Sequence, residues 1–168
     1  LLAVFDALKL PWAEIDDWNC CGATAYMAVD EVKAFTLAAR NLAIAREQGG
    51  DTAQVVAPCS ACYLVLRKTQ DYVQQHPAIR EKVVSALERA GLEPINTVKV
   101  RHPLEVLYTD VGVEEIKKRV KRKWRGGRIA CYYGCQAVRP YDEVDRAYNP
   151  TRMDEMMAAV GAPCVEYP

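Results

Sequence analysis

The chain has 168 residues, and 22 Lys+Arg against 22 Asp+Glu leave it without net charge. That balance argues against a general nucleic-acid or membrane-surface binder, and no apolar run approaches the ~20 residues that a spanning helix needs. Seven cysteines, at 20, 21, 59, 62, 131, 135 and 164, are an odd number in a charged, helix-rich chain. Thiolates used for metal or redox work, in a cytoplasmic setting, are therefore expected before a disulfide framework.

Residues 1–9 carry Leu1, Val4, Phe5 and Leu8 at helical spacing, with Pro11 as the stop. Asp6 and Lys9 in this stretch speak for an amphipathic helix and against a signal peptide. The chain lacks an initiator Met and is expected to begin partway through a longer protein. "WAEI" (12–15) is a short strand candidate, and the Cys-Cys-Gly turn follows. A helix is expected over 30–48, with Val32, Phe35, Ala39, Leu42 and Ala43 on one face and Gly49-Gly50 ending it. "AQVVA" (53–57) reads as a buried strand closed by Pro58. Helices over 60–75 and 78–90 are separated by His76-Pro77, and "TVKV" (97–100) reads as a strand. Two more helices are expected over 102–110 and 113–123. "GGRIACYYGC" gives a turn, a strand and a cysteine-bearing loop, then come a helix over 151–160 and a last strand, "CVEY". Helices alternating with short strands imply an α/β fold, a short, largely parallel sheet flanked by helices.

The two ends resemble each other. At an offset of 152, "FDALKLPWAEI" (5–15) lies on "MAAVGAPCVEY" (157–167), pairing Ala7 with Ala159, Pro11 with Pro163 and Glu14 with Glu166. Both segments read as helix, proline, strand in the same phase, which suggests a duplication. Under it, the counterpart of Cys20 would fall at 172, beyond the last residue.

Cys20, Cys21, Cys59 and Cys62 form a Cys-Cys pair, a gap of 37 residues and a C-x-x-C. Neighbouring cysteines rarely bridge each other, because disulfide geometry is hard to reach across one peptide bond. Pro58 closes a strand just before Cys59, placing it near a helix start with Cys62 one turn in. Free N–H groups and the positive end of the helix dipole gather there, which suits an anionic thiolate–metal cluster. The adjacent cysteines project differently, so one can bind a single iron while the other bridges. Gly22 lets the backbone bend tightly, and Trp18 is placed to shield one side. Three other readings stand beside a cluster. Unconnected core thiols are one. Structural zinc is another, although a Cys-Cys half-site fits its usual knuckles poorly. A thioredoxin-like C-x-x-C is the third, and it leaves Cys20 and Cys21 unexplained.

"DWNCCGA", "APCSACY", "VKVRHPLEVLYTDVGVEEIKKRVKRKWRGGRIACYYGCQAVRP" and "GAPCVEYP" closely resemble the B subunit of heterodisulfide reductase, over essentially the whole chain. The resemblance implies two cysteine-rich CCG domains, each with an early Cys, a Cys-Cys-Gly and a C-x-x-C around a noncubane 4Fe–4S cluster. It implies that Cys20, Cys21, Cys59 and Cys62 are four ligands of a first cluster whose early Cys has no match here. Cys135, in "YYGCQAVRP", is then the early ligand of a second. Residues 1–125 would be most of the first CCG domain and 126–168 the start of the second. The implied activity is electron transfer to a disulfide of the coenzyme M–coenzyme B type and its reduction. The implied enzyme is a cytoplasmic oxidoreductase complex, methanogenesis-related, with a ferredoxin-like iron–sulfur subunit and a flavin-containing subunit. No side-chain general acid is evident, and the catalysis is cluster-based. The runner-up is an iron–sulfur subunit of a lactate-, glycolate- or glycerol-phosphate-type dehydrogenase, and outside redox chemistry a zinc-stabilised interaction module.

Cys131 and Cys164 match no ligand position and read as buried or partly buried thiols. "KKRVKRKWRGGR" (117–128) reads as a solvated helix end and linker between the repeats. His76 and His102, each beside a proline, are expected at helix caps or in the core. Tyr132 and Tyr133, just ahead of Cys135, are expected to serve plain packing, with packing beside the second cluster as the alternative.

Overall fold

The computed structural model describes residues 1–23, 26–93 and 98–165. The chain divides into two compact units, Ala13–Arg101 and a second made of Leu1–Trp12 with His102–Pro168.

In the Ala13–Arg101 unit, a short helix α2 (Tyr26–Val29) leads into the long helix α3 (Glu31–Gly49). Asp30 caps α3, its carboxylate accepting from the Lys33 N–H at 3.1 Å, and Gly50, at φ 74°, ends it. The buried stripe of α3 runs Ala34, Phe35, Ala38, Ala39, Leu42, Ala43. Val32 is only half-buried, so small residues take the place of the valine expected there. Strand β1 (Gln54–Val56) follows, then helix α4 (Ser60–Gln75) and helix α5 (Pro77–Arg89), with His76 closing one helix and opening the next. Strand β2 (Lys99–Arg101) pairs parallel to β1, with Val55 opposite Val100. Residue 97 of the expected strand lies outside the described residues. Among the described residues the sheet is thus two-stranded and parallel, joined by a helical crossover as parallel pairing requires. This is the expected α/β class. Phe35, Ala39, Val73, Val83 and Leu87 form a core between α3, α4 and α5, with Met27, Tyr72, Ile79 and Leu92 against it. Each large apolar side chain buried there stabilises the unit by about 1.5–3 kcal/mol.

The expected strand at 12–15 is absent. The backbone there is held by a side chain instead: Gln48, near the end of α3, donates to the Glu14 carbonyl (2.8 Å) and accepts from the Asp16 N–H (3.1 Å). One amide therefore satisfies the groups a second strand would have paired.

The other unit opens with helix α1 (Leu2–Leu8). Helix α6 (Pro103–Val106) runs into a π-helical turn, Leu107–Val111, and Gly112 separates that from helix α7 (Val113–Arg119). Helix α7 stops short of residue 123, its charges paired at helical spacing between Arg119 and Glu115 (2.8 Å). Helix α8 (Cys135–Val138) and helix α9 (Arg152–Ala159) complete the described elements. The strand expected near 129 reduces to one parallel bridge, Ile129 to Cys164. Residues 166 and 167 of the last expected strand lie outside the described residues.

The two segments matched at the offset of 152 end their helices alike. Lys9 (φ 59°) and Gly161 (φ 86°) are both left-handed. Lys9 N–H donates to Asp6 and Leu10 N–H to Phe5. In the same phase, Gly161 N–H donates to Ala158 and Ala162 N–H to Met157. This is the Schellman pattern, which satisfies the last carbonyls of a helix.

Candidate metal centre

The Cys-Cys-Gly loop is fastened to α3 by polar side chains. Asn41, buried in the helix, accepts from the Asn19 N–H (2.9 Å) and donates to the Asn19 carbonyl (2.7 Å). The Asn19 amide donates to the Cys20 and Leu37 carbonyls. Arg40 donates to the Asp17 carbonyl (2.7 Å) and to Asn19 Oδ1 (3.0 Å), and also pairs with the Asp17 carboxylate. Gly22, at φ 82°, lies so close to α3 that a Cβ would meet the Ala34 carbonyl oxygen at 3.1 Å. Only glycine accommodates both that backbone and that approach. Cys21 is thereby pressed into the unit and buried, while Cys20 stays exposed.

Pro58 and the end of β1 deliver Cys59 to the N-cap of α4 in extended conformation. Its thiol makes no capping hydrogen bond. Even so, the N–H groups of Cys62 and Ala61 at the helix start favour its thiolate and hold its pKa below the usual thiol value. Cys62, half-buried one turn in, has its Sγ 2.9 Å from Cys21 Sγ. That is inside ordinary contact for two sulfurs and well beyond the ~2.05 Å of a disulfide. Burial, then the neighbouring Cys21 and Cys59 thiols, push the Cys62 pKa strongly up. Of these thiols, Cys62 is the one whose surroundings oppose ionisation.

The structure thus brings Cys21 and Cys62 into contact, with Cys59 beside Cys62, and leaves Cys20 in solvent on the same loop. These sulfurs do not form a set of three within 4.8 Å of one another. A single tetrahedral zinc needs its thiolates about 3.8 Å apart, given Zn–S bonds of ~2.3 Å, whereas a multi-iron cluster distributes its cysteines over several irons. An all-thiol donor set, anchored by a helix start and a tight glycine loop, fits the cluster better than the ion. Trp18 does not cover it: the ring is 60% exposed, its N–H donating to Glu14 (3.0 Å).

Cys135 stands in the other unit, exposed at the first position of α8, behind Gly134 at φ 71°. Cys131 is buried and Cys164 half-buried. Burial, with Cys164 and Asp154 nearby, pushes the Cys131 thiol up to about 12. Tyr132 is exposed, while Tyr133 hydrogen-bonds to Asp154. His102 caps α6. The basic segment folds its Trp124 N–H onto the Gly127 carbonyl at 2.9 Å. Asn19, Arg40 and Asn41 are the supporting residues that sequence reasoning missed. A polar Asn41 within the apolar stripe of α3 was the available signal.

Residues 1–67 match the family described as a cysteine-rich domain, CCG, a span that contains Cys20, Cys21, Cys59 and Cys62. Over 98% of its length the chain is 31% identical to a protein of Archaeoglobus profundus that is named as like the B subunit of heterodisulfide reductase, covering 56% of that protein. It is 29% identical over 96% of its length to the B subunit of the ferredoxin/F(420)H(2)-dependent CoB-CoM heterodisulfide reductase of Methanosarcina acetivorans. There it covers 52% of the relative. It is also 29% identical over 98% of its length to the 8-methylmenaquinol:fumarate reductase membrane anchor subunit of Wolinella succinogenes, covering 56% of it. Among the described residues, no helix is long and apolar enough to cross a membrane. The chain spans about half the length of these curated relatives. With the Cys-Cys-Gly loop and the C-x-x-C helix start brought together, and with these matches, residues 1–67 are similar to the cysteine-rich CCG domain, and the chain as a whole is similar to about half the length of heterodisulfide reductase B subunits.

Proposed function

We propose that this chain is part of an iron–sulfur subunit that passes electrons to a small-molecule disulfide and reduces it. Cys20, Cys21, Cys59 and Cys62 hold a 4Fe–4S cluster of the noncubane type, within a first CCG domain over 1–125. Cys135 opens the ligand set of a second such domain, starting at 126. The observation that carries the reading is the contact of Cys21 and Cys62 beside a thiolate-favouring Cys59 at the start of α4.

When bound, the cluster supplies the electrons and the iron sites at which the two sulfurs of a disulfide are received. The chain's residues position it. Asn41 and Arg40 fix the loop, the Gly22–Ala34 approach sets its depth, and the α4 N-terminus stabilises negative charge on Cys59. Reduction of the disulfide takes two electrons and two protons and yields two thiols. The similarity to heterodisulfide reductase B subunits supports a disulfide of the coenzyme M–coenzyme B class. The reading further takes the complex to be cytoplasmic, with a ferredoxin-like iron–sulfur subunit and a flavin subunit as partners. An equal identity to a fumarate reductase subunit favours a second reading, an electron-transfer subunit of a quinol-linked complex without disulfide chemistry.

Anaerobic reconstitution with iron and sulfide tests the proposal. The expected result is stoichiometric iron and acid-labile sulfide, lost in Cys21→Ala and Cys62→Ala and spectrally altered in Cys20→Ala. About one zinc and no labile sulfide at these four cysteines would sink it. Disulfide-dependent oxidation of the reduced complex separates the two readings, since only the first predicts it.

A further inference from the structure

Outside the CCG cysteines, three donor groups from three separate segments converge in the unit of Leu1–Trp12 and His102–Pro168. Cys131 Sγ and Cys164 Sγ lie 3.8 Å apart. With an Asp154 carboxylate oxygen they form a set whose ligand atoms all lie within 4.8 Å of one another. Two thiolates on one tetrahedral zinc, each at ~2.3 Å, are separated by about 3.8 Å, the edge of that tetrahedron. A disulfide would need ~2.05 Å. We propose that Cys131, Asp154 and Cys164 form a single-ion site for a zinc-like divalent cation, distinct from the cluster ligands proposed above.

The surrounding backbone fixes all three donors. Ile129 N–H donates to the Pro163 carbonyl (2.9 Å) and Val165 N–H to the Ile129 carbonyl (2.8 Å). These bonds hold the segments of Cys131 and Cys164 side by side. Asp154 sits in the first turn of α9, and that turn is locked. The buried Asp145 carboxylate accepts from the Thr151 N–H (2.8 Å) and the Arg152 N–H (2.7 Å). Arg152 in turn donates to the Glu143 and Val144 carbonyls.

Tyr133 is the positioning residue. Its hydroxyl donates to Asp154 Oδ2 at 2.6 Å and accepts from the Met153 N–H at 2.9 Å. The carboxylate is thereby oriented by a neighbouring hydroxyl, the outer-sphere arrangement that metal-binding carboxylates use. Cys164, still a thiol, donates to the Asp154 carbonyl (3.6 Å) and the Ala162 carbonyl (3.8 Å). Metal entry replaces both S–H bonds with S–metal bonds and releases two protons to solvent. Asp154 and Cys164 are half-exposed, which gives the ion a path in. Three protein donors leave the fourth tetrahedral position to water. Zinc here would clip the start of α9 to the segment that carries Cys135.

The site is independent of the iron–sulfur reading, and the test keeps the two apart. The metal-free, reduced full chain is titrated anaerobically with Co2+ and then Zn2+, in a Cys59→Ser/Cys62→Ser background that weakens the other thiol set. The expected result is one equivalent of cobalt with the visible bands of a tetrahedral thiolate site, displaced by zinc. Cys131→Ser/Cys164→Ser should abolish it. Asp154→Asn and Tyr133→Phe, which keep both thiols, should weaken zinc binding at least tenfold and by ten- to a hundredfold respectively. Unchanged cobalt spectra in the Cys131→Ser/Cys164→Ser variant, or unchanged zinc affinity in Asp154→Asn, overturn the proposal. So does peptide mapping that finds Cys131 joined to Cys164 as a disulfide in anaerobically purified protein.

Discussion

Both hydrogen-bonding ends of the Asn41 amide are occupied by the backbone of Asn19, one residue before the paired cysteines. Neither a charged nor an apolar side chain reproduces that double contact. Asn41→Ala leaves a part-buried N–H and C=O without partners, which costs about 1–3 kcal/mol. The expected outcome is a lower urea midpoint with an unchanged m-value, and faster loss of the proposed cluster on exposure to a chelator. A midpoint equal to wild type would show that water replaces the amide at no cost. The pairing joins residues 22 apart in sequence, so the spacing of the cysteines advertised a site while the clamp beneath them stayed hidden. Gly22 was legible as a glycine needed for a bend. That its lost Cβ is also room for Ala34 is a fact of packing, which one strand of sequence does not carry.

Elements were readable where apolar periodicity and punctuation agreed locally. Helices α3, α4 and α5 and strand β1 fall where Gly49-Gly50, Pro58 and Pro77 set the limits. The strand expected at 12–15 failed because Gln48 satisfies that backbone from a distance. The π-helical turn at Leu107–Val111 has no compositional mark. Its neighbour α6 depends on His102, whose Nδ1 accepts from the Leu104 N–H at 3.2 Å. That bond requires an unprotonated Nδ1. Burial lowers the His102 pKa below its ordinary 6.5, against an opposing pull from Glu105. The unfolded chain therefore takes up a proton first as pH falls through about 6.5. Stability from this group is full above that value and is lost progressively below it, down to the folded pKa. Chemical denaturation between about pH 7.5 and 5 should show that decline, and His102→Asn, which caps without titrating, should flatten it. An equal decline in the variant would remove His102 as its source.

At the scale of the whole molecule, acidic and basic residues balance, and the isoelectric point lies near 6.9. Self-repulsion is weakest there, so light scattering of the metal-free chain should peak near that pH and fall on either side. A zinc ion at Cys131, Asp154 and Cys164 adds two positive charges and displaces two protons. Loading it should leave the peak in place, and a shifted peak would contradict that proton balance. The cysteine sets also differ in legibility at this scale. Cys20, Cys21, Cys59 and Cys62 carry a recognisable spacing, whereas Cys131 and Cys164, 33 residues apart, become a pair only through the bridge at Ile129. That bridge gives the Schellman stop at Gly161 a consequence of its own. Gly161 lies three residues before Cys164 and closes α9, which ends at Ala159, while the bridge holds Cys164 from the other side. The stretch from 161 to 164 is therefore a measured length of chain. Gly161 is left-handed and Ala162 is buried, so replacement there is narrowly limited, and gaining or losing a single residue would turn the sulfur away from its partners.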